Sequence, residues 1–248
     1  LAYRDAPTIQ AAVQFWEFDR FAFFDQEHTQ AYLLGSANLI VMAFRGTQMR
    51  VLRDWMTDVK IALVPSCGGQ VHGGFAQALD HIWEPMRATI AQWHRPQQAI
   101  LVTGHSLGAA LATIAAARLR QDNRAVHGLY TYGSPRVGDR AFAQQFDRQF
   151  EQRAFRFVNH YDLVTRLPPR SLGYQHVGTS LYYDEAGVLH RDKRYWEKFL
   201  ETVQGGMDEV LSRSGELFKD HDMEEYAKLL QLSVQPLEEV STQVGTEE

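Results

Sequence analysis

The segment from Ala99 to Ala112 constrains this chain more than any other. Ala99-Ile100-Leu101-Val102-Thr103 is an apolar run with strand character. Gly104-His105-Ser106-Leu107-Gly108 follows at once, and Ala109, Ala110, Leu111 and Ala112 then continue as a helix rich in small residues. A chain that turns this sharply from strand to helix forces Ser106 into a strained conformation and lifts its hydroxyl above the sheet. The glycines at 104 and 108 leave out side chains that would collide where strand and helix meet. The helix N-terminus offers backbone N–H groups to a developing negative charge. The five-residue pattern is weak alone; the strand before it and the small-residue helix after it make it specific. A helix cap in a nucleotide-binding fold would want a second phosphate-binding element, and none accompanies it. His105 is expected to point away from the hydroxyl and to pack.

The rest of the chain supplies the setting. Strands are predicted at Arg20–Phe24, Ala31–Leu34, Leu39–Phe44, Gly128–Tyr132 and Ala154–Asn159, and an extended stretch at Gln175–Tyr183. That stretch is expected to turn at residues 184–187 and return through Val188–His190 as an edge hairpin. Helices are predicted from Pro7 to about Trp16, over Gly74–Trp93 with a kink at Pro85, over Leu107–Gln121, Arg194–Arg213 and Met223–Leu232. Alternation of this kind predicts an α/β fold, a central mainly parallel sheet flanked by helices. No linker divides the 248 residues, so one domain is expected, with a polar tail at about residues 236–248 expected to be disordered.

Composition removes some function classes. The formal net charge of −5 argues against a nucleic-acid partner. No run of 18 apolar residues is present, so no transmembrane segment is expected. A single cysteine, Cys67, excludes an intrachain disulfide and reads as a small loop residue beside Gly68 and Gly69. None of this assigns a compartment, and soluble, secreted and cytoplasmic readings all stay open. No cofactor and no metal is expected. The run Asp220-His221-Asp222 has no second ligand pair at useful spacing.

A serine hydroxyl needs a base, and the base an orienting acid. With the chain order serine, acid, histidine, the acid belongs in the loop after a later strand, which selects Asp162 in His160-Tyr161-Asp162. Asp139 and Asp147 lie in or beside a helix and fit less well. Of the histidines that follow, His190 falls on the return strand of the hairpin and His176 alternates within a strand. His221 stands on a loop tip just before a helix capped by Asp222, with Glu225 completing a capping box. His221 is therefore the expected base and His176 the runner-up.

With these residues placed, the sequence resembles the class 3 lipases, the family of the filamentous-fungal triacylglycerol lipases, an α/β-hydrolase fold. The matching segments are Phe44-Arg45-Gly46-Thr47, Trp55-Met56-Thr57-Asp58, Val71-His72-Gly73-Gly74-Phe75, Thr103 to Gly108, Tyr132-Gly133-Ser134-Pro135-Arg136-Val137-Gly138-Asp139, Asn159 to Val164 with Leu167-Pro168-Pro169, and Tyr174-Gln175-His176-Val177-Gly178. They stand in family order and cover about residues 31–232. The resemblance implies a serine carboxylic-ester hydrolase with Ser106, Asp162 and His221 as its triad. It also implies Thr47 and the backbone N–H of Leu107 as the oxyanion hole, Asp58 as a support for Thr47, and Arg136 as a structural ion-pair partner. It places a mobile lid over residues 48–56, where Met49, Leu52 and Met56 share one helical side with Trp55 beside them. Such a lid would open at a lipid–water interface. The implied partner is a lipid or ester substrate.

Three departures from the fungal pattern stand out. The stretch from Thr47 to Asp58 is a couple of residues longer, Ala109 stands where a glycine is frequent, and disulfide cysteines are missing. The last two point to a bacterial branch. A phospholipase A1, a feruloyl-type esterase or an acyltransferase would share every residue named. A lipase-like binding domain that no longer catalyses, as among plant immune relatives, would have lost triad residues or gained a large helical domain.

Overall fold

The computed structural model describes residues 6–46, 62–191 and 219–234. Its centre is an eight-stranded sheet in the order β1-β2-β3-β6-β7-β8-β9-β10. β3 (Leu39–Phe44), β6 (Ala99–His105), β7 (Gly128–Tyr132), β8 (Ala154–Asn159) and β9 (Thr179–Tyr183) run parallel. β1 (Arg20–Gln26) and β2 (Thr29–Gly35) add antiparallel at one edge, and β10 (Leu189–His190) adds antiparallel at the other. The edge hairpin expected at residues 184–190 is present, with its strand beginning at Thr179 rather than Gln175.

Alternation sorts each strand between two faces. Ile40, Met42 and Phe44 of β3, Ala31 and Leu33 of β2 and Ile100 and Val102 of β6 join one core. α2 (Gly73–Trp93), α3 (Leu107–Gln121) and α4 (Arg140–Gln149) cover that face with Leu79, Ile82, Met86, Leu111, Ile114 and Phe146. On the opposite face α1 (Ala6–Phe15) packs Ile9 and Val13 on Tyr32, Leu34 and Ala43. α5 (Met223–Val234) sets Tyr226 against Phe157, Leu181 and Tyr183 there. The small side chains of α3 matter. Ala109, Ala110, Ala112, Ala115 and Ala116 are all fully buried, so the helix lies close on the sheet.

The helix expected to kink at Pro85 runs through it as one element. Cys67 stands at the turn of a small hairpin, β4 (Leu63–Ser66) and β5 (Gly69–His72), which the hydrophobic pattern did not reveal because it is short and only partly buried. The expected helix over Arg194–Arg213 and the tail beyond residue 236 lie outside the described residues. Among those described, no helix is long and apolar enough to cross a membrane.

Candidate active site

The ends of three neighbouring parallel strands build the site. Ser106 follows β6 directly, with φ +59 and ψ −128, a region that L-residues avoid. The surroundings over-determine this strain. The Ser106 N–H donates to the Tyr132 carbonyl at 3.0 Å, and a Cβ on Gly104 or Gly108 would come within 2.2 Å of backbone oxygens of Gly108 or Phe44. Both glycines are thus demanded by the approach of α3 to β6 and β3. The first turn of α3 begins at Leu107, beside the serine.

Asp162 lies three positions beyond the end of β8, and His221 closes a short 3₁₀ turn before α5. His221 Nε2 stands 2.7 Å from Ser106 Oγ, and its Nδ1 stands 2.9 Å from each carboxylate oxygen of Asp162. The carboxylate can only accept, so Nδ1 carries the proton and Nε2 is free to accept from the serine hydroxyl. All three side chains are buried. Asp162 is further held by the Val164 N–H at 3.0 Å and by the Tyr226 hydroxyl at 2.7 Å. Tyr226 in turn accepts the Asn159 N–H at 2.9 Å. Burial, and then the adjacent carboxylate, push the Tyr226 phenol well above its ordinary value, so it stays a donor.

Space for the Asp162–His221 pair comes from Gly133, at the end of β7. Its φ is +58, and a Cβ there would lie 2.7 Å from Asp162 Oδ2 and 2.9 Å from His221 Nδ1 and Cε1.

Several expectations change. His105 does more than pack: its Nε2 donates to the His221 carbonyl at 2.7 Å. Burial, reinforced by His221, lowers its pKa to about 3, so it acts as a neutral donor. His221, not His176, meets Ser106; His176 hydrogen-bonds the Thr165 carbonyl. His190 pairs with Asp184 in the edge hairpin. Arg136 meets the carbonyls of Arg166 and Pro168 rather than a carboxylate among the described residues. Asp222 caps α5 through the Glu224 N–H, but Glu225 pairs with Lys228 instead of completing a capping box. Asp220-His221-Asp222 therefore splits three ways: Asp220 faces the His160 loop, His221 the serine, and Asp222 its own helix. Thr47, Met49, Leu52, Trp55, Met56 and Asp58 lie outside the described residues.

Sequence reasoning missed Tyr226, Asn159 and Gly133. Tyr226 had a partial signal, since Met223, Tyr226, Leu229 and Leu230 fall at helical spacing and mark a buried stripe. Nothing local says that the stripe's hydroxyl meets a carboxylate.

A parallel-centred α/β sheet with a strained serine at a strand–helix turn, and a histidine and aspartate in line behind it, defines the class of serine hydrolases with this elbow. The family model described as Lipase (class 3) matches residues 41–172. The chain belongs to that family. It is 39% identical over 160 residues to a secreted mono- and diacylglycerol lipase 1 of Fusarium solani, covering 62% of this chain and 46% of that protein. It is 35% identical over 153 residues to a lipase of Rhizomucor miehei, covering 58% and 41%. The chain thus spans about half the length of the curated relatives it matches. Among solved structures, the Rhizomucor miehei lipase propeptide complex superposes with a TM-score of 0.59 at 29% identity, covering 69% of this chain and 58% of that one. A structure described as a triacylglycerol lipase whose catalytic centre is a serine-protease triad gives 0.56 at 29% identity, covering 67% and 66%. His221 lies beyond the residues that the family model matches, so its assignment here rests on geometry. These relatives lend no support to a bacterial branch.

Proposed function

We propose that this protein hydrolyses fatty-acyl carboxylic esters, acylglycerols in particular, through an acyl-enzyme on Ser106. The observation that carries the reading is the 2.7 Å contact of Ser106 Oγ with a His221 whose other nitrogen sits between both oxygens of a buried Asp162. His221 Nε2 takes the hydroxyl proton as Oγ attacks the ester carbonyl, and Asp162 stabilises the imidazolium that forms. The negative charge moves to the carbonyl oxygen, for which the Leu107 N–H and Thr47 are the donors in this reading. Collapse expels the alcohol, which takes the proton from His221, and leaves the acyl group on Ser106. Water then enters by the same route: His221 removes its proton, the carboxylic acid departs, and Ser106 regains its hydrogen.

The acylglycerol substrate class comes from the names of the relatives, a mono- and diacylglycerol lipase and a triacylglycerol lipase. An intact three-residue arrangement argues against a binding domain that has lost catalysis. Met49, Leu52, Trp55 and Met56 enter the proposal as a cover of the cleft, and Asp58 as a support for Thr47, on their sequence pattern and the family resemblance.

The test is hydrolysis of p-nitrophenyl esters and emulsified acylglycerols across acyl lengths. Wild type should turn over both, and Ser106→Ala and His221→Ala should each lose about a thousandfold or more while remaining folded. Turnover retained in Ser106→Ala would refute the reading.

A further inference from the structure

The three-residue turn that bears His221 is too short to hold itself in place. It is tied instead to the end of β8. The Asn159 side-chain amide donates to the Asp220 carbonyl at 3.0 Å. The Tyr161 backbone N–H donates to Asp220 Oδ2 at 3.0 Å, and His160 Nδ1 stands 3.3 Å from that same oxygen. His160 has a φ of +32, an unusual backbone conformation for a histidine, and it lies between the two residues whose N–H groups reach Tyr226 and Asp220.

One carboxylate therefore bridges the loop of the acid and the loop of the base. Asp220 immediately precedes His221, and the loop it grips ends in Asp162 one residue after Tyr161. On the other side, Asp222 fixes the start of α5 through the Glu224 N–H. The imidazole is bracketed by two aspartates that never touch the proton path, one tying it to the sheet and the other to the helix.

We propose that Asp220 is a positioning residue for His221. It holds the imidazole in register with both Asp162 and Ser106 by fastening the base loop to residues 160 and 161. This rests on the reading of Ser106 as nucleophile and His221 as its base. The bonds from Asn159 and His105 hold the backbone of the same turn. The contribution of Asp220 is to fix the distance between the two loops. Its side chain is 27% exposed, so its replacement opens no sealed cavity, and water can reach the freed Tyr161 N–H.

The experiment compares wild type, Asp220→Ala and Asp220→Asn. The readouts are kcat and KM on a short, soluble p-nitrophenyl ester, the second-order rate of inactivation by a fluorophosphonate, and the melting temperature. Inactivation measures how well the base activates the serine without acyl-chain binding. Asp220→Ala should lower kcat and the inactivation rate together by about tenfold, less than the roughly hundredfold of a full misplacement because Asn159 and His105 still hold the turn, with KM and melting temperature little changed. Asp220→Asn should recover most of the rate, because its amide oxygen still accepts the Tyr161 N–H. Wild-type inactivation rates in Asp220→Ala overturn the inference, and so does an equal loss in both variants with a fallen melting temperature. A wild type that fails to react with the fluorophosphonate overturns the hydrolase reading and this inference with it. A reactive wild type beside an equally reactive Asp220→Ala overturns this one alone.

Discussion

Adding one methyl group at residue 133 tests the geometry most severely. In Gly133→Ala the new Cβ would lie 2.7 Å from Asp162 Oδ2 and 2.9 Å from His221 Nδ1 and Cε1. An unstrained carbon–oxygen contact needs about 3.3 Å, so the pair must retreat by about 0.6 Å. Neither partner has room. Asp162 is pinned by the Val164 N–H and the Tyr226 hydroxyl, and the His221 carbonyl is gripped by His105. The 2.7 Å contact to Ser106 must therefore stretch or tilt, and a misplacement of that order costs about a hundredfold in kcat. Two stability terms add. Alanine in the left-handed region costs about 1–2 kcal/mol, and overpacking costs about 1–3 kcal/mol. Gly173→Ala supplies the control. Its φ is +87, yet nothing lies within 4 Å of the added Cβ, so it bears the backbone cost alone. The assay is kcat and KM on a short soluble ester beside thermal unfolding. Gly133→Ala should lose about a hundredfold in kcat and about 2–5 kcal/mol of stability. Gly173→Ala should lose about 1–2 kcal/mol and no activity. A Gly133→Ala enzyme with near wild-type kcat would refute the packing of the acid–base pair against β7.

Further predictions follow from the same contacts. Tyr226→Phe leaves the Asn159 N–H without its acceptor and takes from Asp162 one of its donors, so unfolding should become easier by about 1–3 kcal/mol, with kcat reduced and KM nearly unchanged. Unchanged stability in urea unfolding would show that water replaces the hydroxyl. Acid should destabilise the fold through buried neutral histidines. Burial lowers His72 to about 4, and burial with His221 beside it lowers His105 to about 3, whereas both protonate near 6.5 when unfolded. The unfolded state then binds the extra protons, so this stability is complete above pH 6.5 and is lost as pH falls. The slope is about 1.4 kcal/mol per pH unit for each histidine, down to its folded value. Urea unfolding between pH 6.5 and 5 should show that slope, and His72→Asn should flatten it; identical slopes in the two proteins would exclude His72 as a source.

Much of this protein is written locally. β3, β7, β8 and α3 have the limits that hydrophobic alternation and small-residue patterning predict, because those signals span only a few residues and each element needs them to bury one face. The serine elbow is equally local: strand, glycines and alanines are contiguous, and the turn they force is a property of that segment. Asp162 and His221 were legible as positions, one just after a strand and the other just before a capped helix, since chain order and loop placement can be read off a line of residues. What the line does not contain is distance between remote points. His105 meets the carbonyl of a residue 116 positions away, and Asn159 meets a hydroxyl 67 positions away. The same polar atoms could equally have faced water. Only the stacking of β6, β7 and β8 side by side, with α5 packed on one face of the sheet, makes Gly133 the floor of the Asp162–His221 pair. Tyr226 becomes a buried donor, and Asp220 a bridge, for the same reason. The elements follow from short-range sterics and periodic burial; the environment of the site follows from which elements become neighbours, and that is decided only when the whole sheet assembles.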